Sequence, residues 1–296
     1  MPPARGRLRL RSVGVSGIRK PLNVQRPDRV NTLAVTFHVA VDLPSSRKGS
    51  DLSRNAEILA EIVDQTVTQP VDSLESACRS IAHELLVRHA YATEALVEAS
   101  AEYFLRRGVS EEKRSFEDYS LIAEAHATRA ADGRISVARA VGAEAVGMTA
   151  CPCAMETCRD ALAKEYPQLL DPALRDLPMI THNQRNRTRL VFELEDGASV
   201  EVDDLIDAIE GAQSSPTYAI LKRGDEGQVV LHAHRHPKFV EDVLRDLLAS
   251  LPDRFPGVPD SVRVRASTVS EESIHKYNVE ASHHVTLGEL RREPTA

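Results

Sequence analysis

The densest group of chemically reactive side chains lies at Gly147–Cys153, in the middle of the chain. This segment ends an apolar stretch that predicts a strand, so Cys151 and Cys153 stand at a strand end, separated by a proline. A Cys-x-Cys pair is too tight for the usual zinc knuckle, and no second pair completes a tetrahedral structural site. One thiolate could therefore bind a catalytic metal or act as a nucleophile. Two buried structural thiols are the alternative.

Two further segments carry imidazole and carboxylate groups. His182 stands beside amide side chains and Arg185 just before a strand, a setting that suits a ligand or proton donor next to an anion. Glu272 and His275 are three residues apart after a late strand, and they would share a face if the segment is helical. Such a pair can bind one divalent metal or relay a proton, whereas a solvated pair is the alternative.

Other polar residues give weaker signals. His232, His234 and His236 resemble a metal site, but the run precedes a proline and a helix start, so we favour a solvated loop without a role. Basic residues in short polar loops indicate anion pockets rather than a nucleic-acid track. The candidates are Arg47, Lys48, Arg54, Arg185 and Arg223. The sequence contains neither a P-loop nor a G-x-G-x-x-G motif.

Length and composition limit the class of protein. The 296 residues suggest one large domain or two smaller ones, which can fold without a disulfide or a metal. A net charge of −7 argues against broad binding of nucleic acid or of a membrane surface. No apolar run approaches the roughly 18 residues that span a bilayer. Four cysteines, three of them crowded together, indicate a metal or nucleophile site in a reducing cytoplasm.

The first part of the chain alternates between strand and helix patterns. Residues 1–27 are basic and we favour a frayed terminus there, although alternation from Arg7 to Ile18 makes a first strand possible. Leu33–Val41 predicts a half-buried strand, and two helical stripes separated by Pro70 follow it. Cys78 lies on the second stripe, which indicates a packed core thiol.

The rest of the chain repeats this order. Residues 95–103 and 135–149 predict strands on either side of a charged loop at 111–118, and residues 190–287 again alternate between strand and helix patterns. We therefore predict an α+β fold of two tandem ββααββ modules, each with an antiparallel sheet and helices on one face. The predicted limits are 1–27 for the basic segment, 28–150 for the first module, 151–187 for an active-site loop and connector, and 188–290 for the second module.

Six segments occur in a characteristic order. They are Val13–Gly17, Arg47–Arg54, Gly147–Cys153, His182–Arg185, Lys238–Asp242 and Glu272–His275. Together they resemble the type IB and archaeal type IV GTP cyclohydrolases over nearly the whole chain. This resemblance implies the tunnelling fold, with two ββααββ modules per chain. It also implies homo-oligomeric barrels, commonly tetramers built as dimers of dimers, with active sites between subunits.

The resemblance implies a reaction and its residues. GTP would be the substrate, its guanine imidazole ring would be opened by hydrolysis at C8, and formate would leave. One divalent metal per subunit, held among Cys151, His182, Glu272 and His275, would lower the pKa of a water. Cys151, His182 and His275 are the implied catalytic residues, with ligand and acid–base roles left open, and Cys153 shares the motif without an assigned role. The five loop cations become candidate contacts to the triphosphate.

Three features of the sequence help to distinguish the type IB branch of the family from the type IV branch. Type IB members carry a glutamate where this chain has Pro216 or Thr217, and a second histidine where it has Tyr277. The loop at Arg47 reads Arg-Lys-Gly, nearer to the type IV form. We therefore favour type IV, with Fe²⁺ and a 7,8-dihydroneopterin 2′,3′-cyclic phosphate product for pterin biosynthesis. Type IB, with a triphosphate product and Zn²⁺ or Mn²⁺, is the alternative.

Two more distant interpretations stay open. A nitrile reductase of the same fold would use a cysteine nucleophile and NADPH without a metal, but the histidine and carboxylate motifs argue against it. A non-catalytic module that binds a metal or a nucleotide would keep the thiols as structural groups. For the favoured function we expect a cytoplasmic homo-oligomer that binds neither nucleic acid nor a membrane.

Overall fold

A computed structural model describes residues 8–26, 29–110, 113–174, 177–195 and 197–293. The first strands and helices are β1 (Leu10–Gln25), β2 (Val30–Leu43), α1 (Leu52–Gln65), α2 (Leu74–Arg88), β3 (Glu94–Arg107), β4 (Ser115–Arg129) and β5 (Ile135–Ala150). They are followed by α3 (Pro152–Ala163), two 3-10 turns (Pro167–Leu170 and Pro172–Leu174), β6 (Asn183–Leu194), α4 (Val202–Ala212), β7 (Ser215–Pro216), α5 (Arg223–Arg235), α6 (Val240–Arg254), β8 (Arg263–Ser270), β9 (Val279–Thr286) and α7 (Leu287–Arg292).

The chain divides into two compact units, each drawn from three stretches of sequence. Unit 1 comprises the described residues within 1–103, 120–142 and 192–198. Unit 2 comprises the described residues within 104–119, 143–191 and 199–296. Strands β3, β4, β5 and β6 each contribute residues to both units.

Unit 1 is a sheet with two helices packed on it. Its strands lie in the order β1-β2-β3-β4-β5, and the pairs β1–β2 and β2–β3 are antiparallel. The alternation predicted for β2 is confirmed, because Val35, Phe37 and Val39 are buried. Helices α1 and α2 pack against each other, α1 against β1 and α2 against β2. Cys78 of α2 is fully buried in this core, as predicted.

The N-terminal segment joins the sheet. Residues 10–25 form β1 and pair with β2 along most of their length, so the frayed terminus is wrong for these residues and the alternative of a first strand is confirmed. A Cβ at Gly14 would lie 2.1 Å from the Val39 carbonyl oxygen, which explains why glycine occupies this close approach of β1 to β2. Residues 1–7 of the predicted basic segment lie outside the described residues.

Unit 2 combines a second antiparallel sheet region with helices on it. Its strands lie in the order β5-β6-β8-β9, and the short β7 pairs with β5. Helix α6 contacts α4, α7, β8 and β9. The stripes predicted for α4 and α6 are confirmed, since Leu205, Ile209, Val243 and Leu247 are fully buried. Within the described residues, no helix is long and apolar enough to cross a membrane.

Three elements differ from the sequence predictions. The predicted charged loop ends earlier, because Ser115 begins β4, whose buried alanines give weak alternation. The predicted loop after Cys151 contains helix α3, which Pro152 initiates. The histidine run lies in and just after helix α5, where two glycines and few apolar residues hide the helical pattern.

Candidate active site

Cys151 lies where strand β5 passes into helix α3. It is the N-cap residue of that helix, and Pro152 occupies the first turn, where a missing N–H breaks no hydrogen bond. The Ala154 N–H donates to Cys151 Sγ over 3.5 Å. The partly buried side chain stays accessible to a ligand.

Hydrogen bonds join the cysteine segment to the histidine segment. The Cys151 N–H donates to the His182 carbonyl at 3.1 Å. Thr181 Oγ1 donates to the Cys151 carbonyl at 2.6 Å. These contacts hold the end of β5 beside the start of β6, so two motifs that are distant in sequence reach one place.

A polar network surrounds the His182 imidazole. His182 Nδ1 lies 2.8 Å from Gln184 Oε1 and 3.8 Å from Glu272 Oε2. Gln184 Nε2 donates to Glu272 Oε1 at 3.3 Å and to the hydroxyls of Thr149 and Ser270 at 3.1 and 3.2 Å. Ser270 Oγ donates to Glu272 Oε1 at 2.9 Å. The His182 and Glu272 side chains are only 13% and 10% exposed, so little water competes with these bonds.

A buried polar layer and a glycine support the strands at this place. Thr149 and Ser270 are 1% and 2% exposed. A Cβ at Gly147 would lie 2.3 Å from Gln213 Cγ, so a larger residue would push this buried glutamine aside. Glycine at the start of the cysteine motif therefore serves packing.

A pocket of about 220 Å³ opens over this network. Its lining includes all four of the principal predicted residues: Cys151, His182, Glu272 and His275. His275 and Tyr277 come from the loop between β8 and β9, where their rings stack with centroids 4.9 Å apart. Both side chains are exposed, in contrast to the buried network. The loop is not helical, so the helical spacing considered for Glu272 and His275 is wrong.

The four predicted residues offer thiol, imidazole and carboxylate groups, which are the ligands that zinc and iron take in proteins. The donor set therefore fits a divalent metal by its chemistry. Across the residues that the structure describes, however, no three His, Cys, Asp or Glu side chains are close enough together to form a complete metal site. The metal centre stays a prediction, and His182 and Glu272 are the pair in contact.

The five predicted anion-binding cations lie in different places. Arg185 and Arg223 are exposed in unit 2 and are not among the described residues that line the pocket. Arg47, Lys48 and Arg54 belong to unit 1.

Ion pairs and a ring contact hold the loop of unit 1 that contains Arg47, Lys48 and Arg54. Arg47 and Arg54 each lie 3.3 Å from Asp51, and the Arg47 guanidinium covers the Tyr91 ring at 4.0 Å. Two guanidiniums share one carboxylate and Lys48 is exposed, so the loop keeps a net positive charge.

The remaining thiols and histidines lie apart from the pocket lining. Cys153 is exposed in the first turn of α3, so the alternative of two buried structural thiols is wrong. The rings of His232, on α5, and His236, the residue after it, lie with centroids 4.4 Å apart at a tilted angle. Partial burial, and then the neighbouring His236 and Lys238, lower the pKa of His232.

Sequence reasoning missed polar residues of the site, among them Gln184, Lys238 and Ser270. Gln184 stood inside the histidine motif, but nothing in its type showed that it bonds both His182 and Glu272. Lys238 also lines the pocket, where its Nζ donates to the Ala212 carbonyl at 2.8 Å and lies 2.7 Å from Asp246. Only its place in an ordered motif could have pointed to it.

Solved structures share the fold. A uricase from Bacillus fastidious superposes with a TM-score of 0.54 at 13% identity and covers 95% of each chain. A uricase from Arthrobacter globiformis gives a TM-score of 0.55 at 8% identity, with 100% of this chain and 98% of that chain covered. At such low identity these matches establish the fold alone, a uricase-like tunnelling fold with an antiparallel sheet.

Sequence relatives are much closer. The chain is 41% identical over 294 residues to the GTP cyclohydrolase MptA of Methanococcoides burtonii, covering 97% of this chain and 93% of that protein. It is 37% identical over 291 residues to the MptA of Methanothermobacter thermautotrophicus, with 96% and 91% covered. The family model for type I GTP cyclohydrolase folE2 matches residues 2–281. The chain therefore belongs to the type I GTP cyclohydrolase folE2 family.

Proposed function

We propose that the protein is a GTP cyclohydrolase of the type IV, MptA-like kind. The observation that carries this proposal is the single pocket lined by Cys151, His182, Glu272 and His275. Membership of the family and relatives named GTP cyclohydrolase MptA at 37–41% identity support the same activity.

The ring opening and loss of formate consume two waters, and the later closure of the pterin ring returns one. The first adds to C8 of the guanine, the C8–N9 bond breaks and N9 takes a proton. The second releases C8 from N7 as formate. A divalent metal held by Cys151, His182, Glu272 and His275 would supply a water of lowered pKa. We assign His182 and His275 to take and return the protons, since an imidazole can both accept and donate a proton.

We further propose that the product is a 2′,3′-cyclic phosphate. After the sugar rearranges to a ketone, the N7 amine condenses with its carbonyl and releases one water, which closes the pterin ring. The 2′-hydroxyl of the sugar-derived carbon chain then attacks the phosphorus nearest that chain, and the other two phosphates leave as diphosphate. The Arg-Lys-Gly loop at Arg47 and the MptA relatives favour this product over the triphosphate of type IB. We assign Arg47, Lys48, Arg54, Arg185 and Arg223 to the phosphates.

We also propose a cytoplasmic homotetramer, a dimer of dimers that forms a barrel from tandem ββααββ modules. Strands β1 and β9 end the strand order, and no residue of β9 is buried. Edge strands of this kind have unpaired backbone groups, which favour pairing with another copy of the chain. Light scattering should find an oligomer at assay concentration, and an active monomer would refute the assembly.

The test is anaerobic incubation of the purified protein with GTP and Fe²⁺, Mn²⁺ or Zn²⁺. Mass spectrometry should find formate, diphosphate and the cyclic phosphate, with Fe²⁺ giving the highest rate. A chelator should abolish turnover, and added metal should restore it. A triphosphate product without diphosphate would indicate type IB. If GTP is not turned over with any metal, the proposed function is wrong, and the nitrile reductase and the non-catalytic module are the alternatives to test.

A further inference from the structure

The Gln184 amide lies between His182 and Glu272. Its NH₂ group faces Glu272 Oε1 at 3.3 Å and also reaches the Thr149 and Ser270 hydroxyls at 3.1 and 3.2 Å. Three acceptors on one side of the amide assign this end as the nitrogen and the opposite end as the oxygen.

This orientation decides the tautomer of His182. Gln184 Oε1 then faces His182 Nδ1 at 2.8 Å, and an amide oxygen cannot donate. Glu272 Oε2, 3.8 Å away, presents a second acceptor to the same nitrogen. Nδ1 must carry the proton, and in the neutral ring Nε2 keeps its lone pair.

We propose that Gln184 is a positioning residue, which holds His182 as the Nδ1–H tautomer and restrains Glu272. The bare Nε2 is the atom that can ligate a metal or accept a proton. Gln184 and Ser270 both bind Glu272 Oε1, so Oε2 is directed by the same network.

The buried position makes this restraint effective. His182 and Glu272 are 13% and 10% exposed, so loss of the amide leaves their polar groups with little water to replace it. The catalytic consequence rests on the proposed function, but the tautomer and the restraint do not.

The first experiment uses the wild-type protein without metal or GTP. Protein labelled with ¹⁵N-histidine is measured at pH 8, and the His182 signals are identified by their loss in His182→Asn. We expect a protonated Nδ1 and an unprotonated Nε2. A protonated Nε2 would overturn the proposal, whatever the protein does with GTP.

The second experiment replaces the amide by a side chain of similar length without hydrogen-bonding groups, Gln184→Met. Asn183→Ala is the matched control, because strand alternation places Asn183 on the opposite face of β6. Zn²⁺ affinity is measured by chelator competition, together with kcat, KM and the thermal midpoint.

Gln184→Met should lower Zn²⁺ affinity or kcat by about 10- to 100-fold, the usual cost of losing a partner of a ligand, while KM changes little. Asn183→Ala should match the wild type. If Gln184→Met folds and keeps wild-type Zn²⁺ affinity and kcat, the proposal is wrong. If Gln184→Met does not fold, the tautomer measurement on the wild-type protein still tests the proposal.

Discussion

Cys78 and Cys151 have the same side chain in opposite surroundings. Cys78 lies on helix α2 in unit 1 and is fully buried, and burial raises the pKa of its thiol well above the ordinary value. The nearby carboxylates of Glu75 and Glu124 raise it further. Cys151 lies at the N-terminus of α3 in unit 2, partly buried, with a backbone N–H directed at its sulfur.

The difference shows that the element around a cysteine decides its chemistry. A thiol on the apolar stripe of a helix stays protonated and acts as a small hydrophobic group. A partly buried thiol at a helix N-terminus can reach a ligand. The predictions below test this contrast, from the largest expected effect to the smallest.

Cys151→Ala should lower kcat/KM for GTP at least about 10³-fold, since a lost ligand or nucleophile removes several kcal/mol of transition-state stabilisation. Its thermal midpoint should stay close to that of the wild type, because the side chain is not part of the core. Cys78→Ala should retain turnover. The assignment of the thiols would be wrong if Cys78→Ala lost turnover while Cys151→Ala lost only thermal stability.

His182→Ala and His275→Ala should each lower kcat by about 10²- to 10⁴-fold, with a much smaller change in KM, because proton transfer contributes in the transition state. His232→Ala, on helix α5, and His236→Ala, just after it, should leave kcat and KM nearly unchanged in the same assays. An equal loss of kcat in His232→Ala and His275→Ala would show that the histidine run belongs to the active site.

Cys78→Ala should lower the free energy of unfolding by about 1–3 kcal/mol, because a fully buried side chain is shortened and leaves a small cavity. Urea unfolding measures this value, with the surface variant Cys153→Ala as the control. A loss from Cys153→Ala as large as that from Cys78→Ala would contradict the contrast between core and surface thiols.

The Cys78 thiol should also make stability depend on pH. Its pKa is raised in the folded state, so its contribution is complete below the unfolded pKa of about 8.5 and decreases as pH rises above it. The advantage of the wild type over Cys78→Ala should shrink by about 1.6 kcal/mol in total between pH 8.5 and 10, with a slope that approaches about 1.4 kcal/mol per pH unit at the upper end. Urea unfolding across this range checks it, and a constant difference would show that Cys78 ionises in the folded protein.

Prediction from sequence succeeded where the periodic pattern was strong. Strand β2 and helices α4 and α6 have apolar residues at the spacing of their element, and the core confirms them. Prediction failed where composition hides the period. Strand β4 buries small alanines beside charged residues, and helix α5 contains Gly224 and Gly227.

The sequence by itself determined the chemical types at the site, because the motifs with Cys151, His182, Glu272 and His275 are local and ordered. Only the tertiary structure decided how these groups meet. Hydrogen bonds between separate segments hold Cys151 beside His182, and Gln184 joins His182 to Glu272. Such contacts depend on strand register and on donor and acceptor geometry across the sheet, which no local pattern of residues encodes.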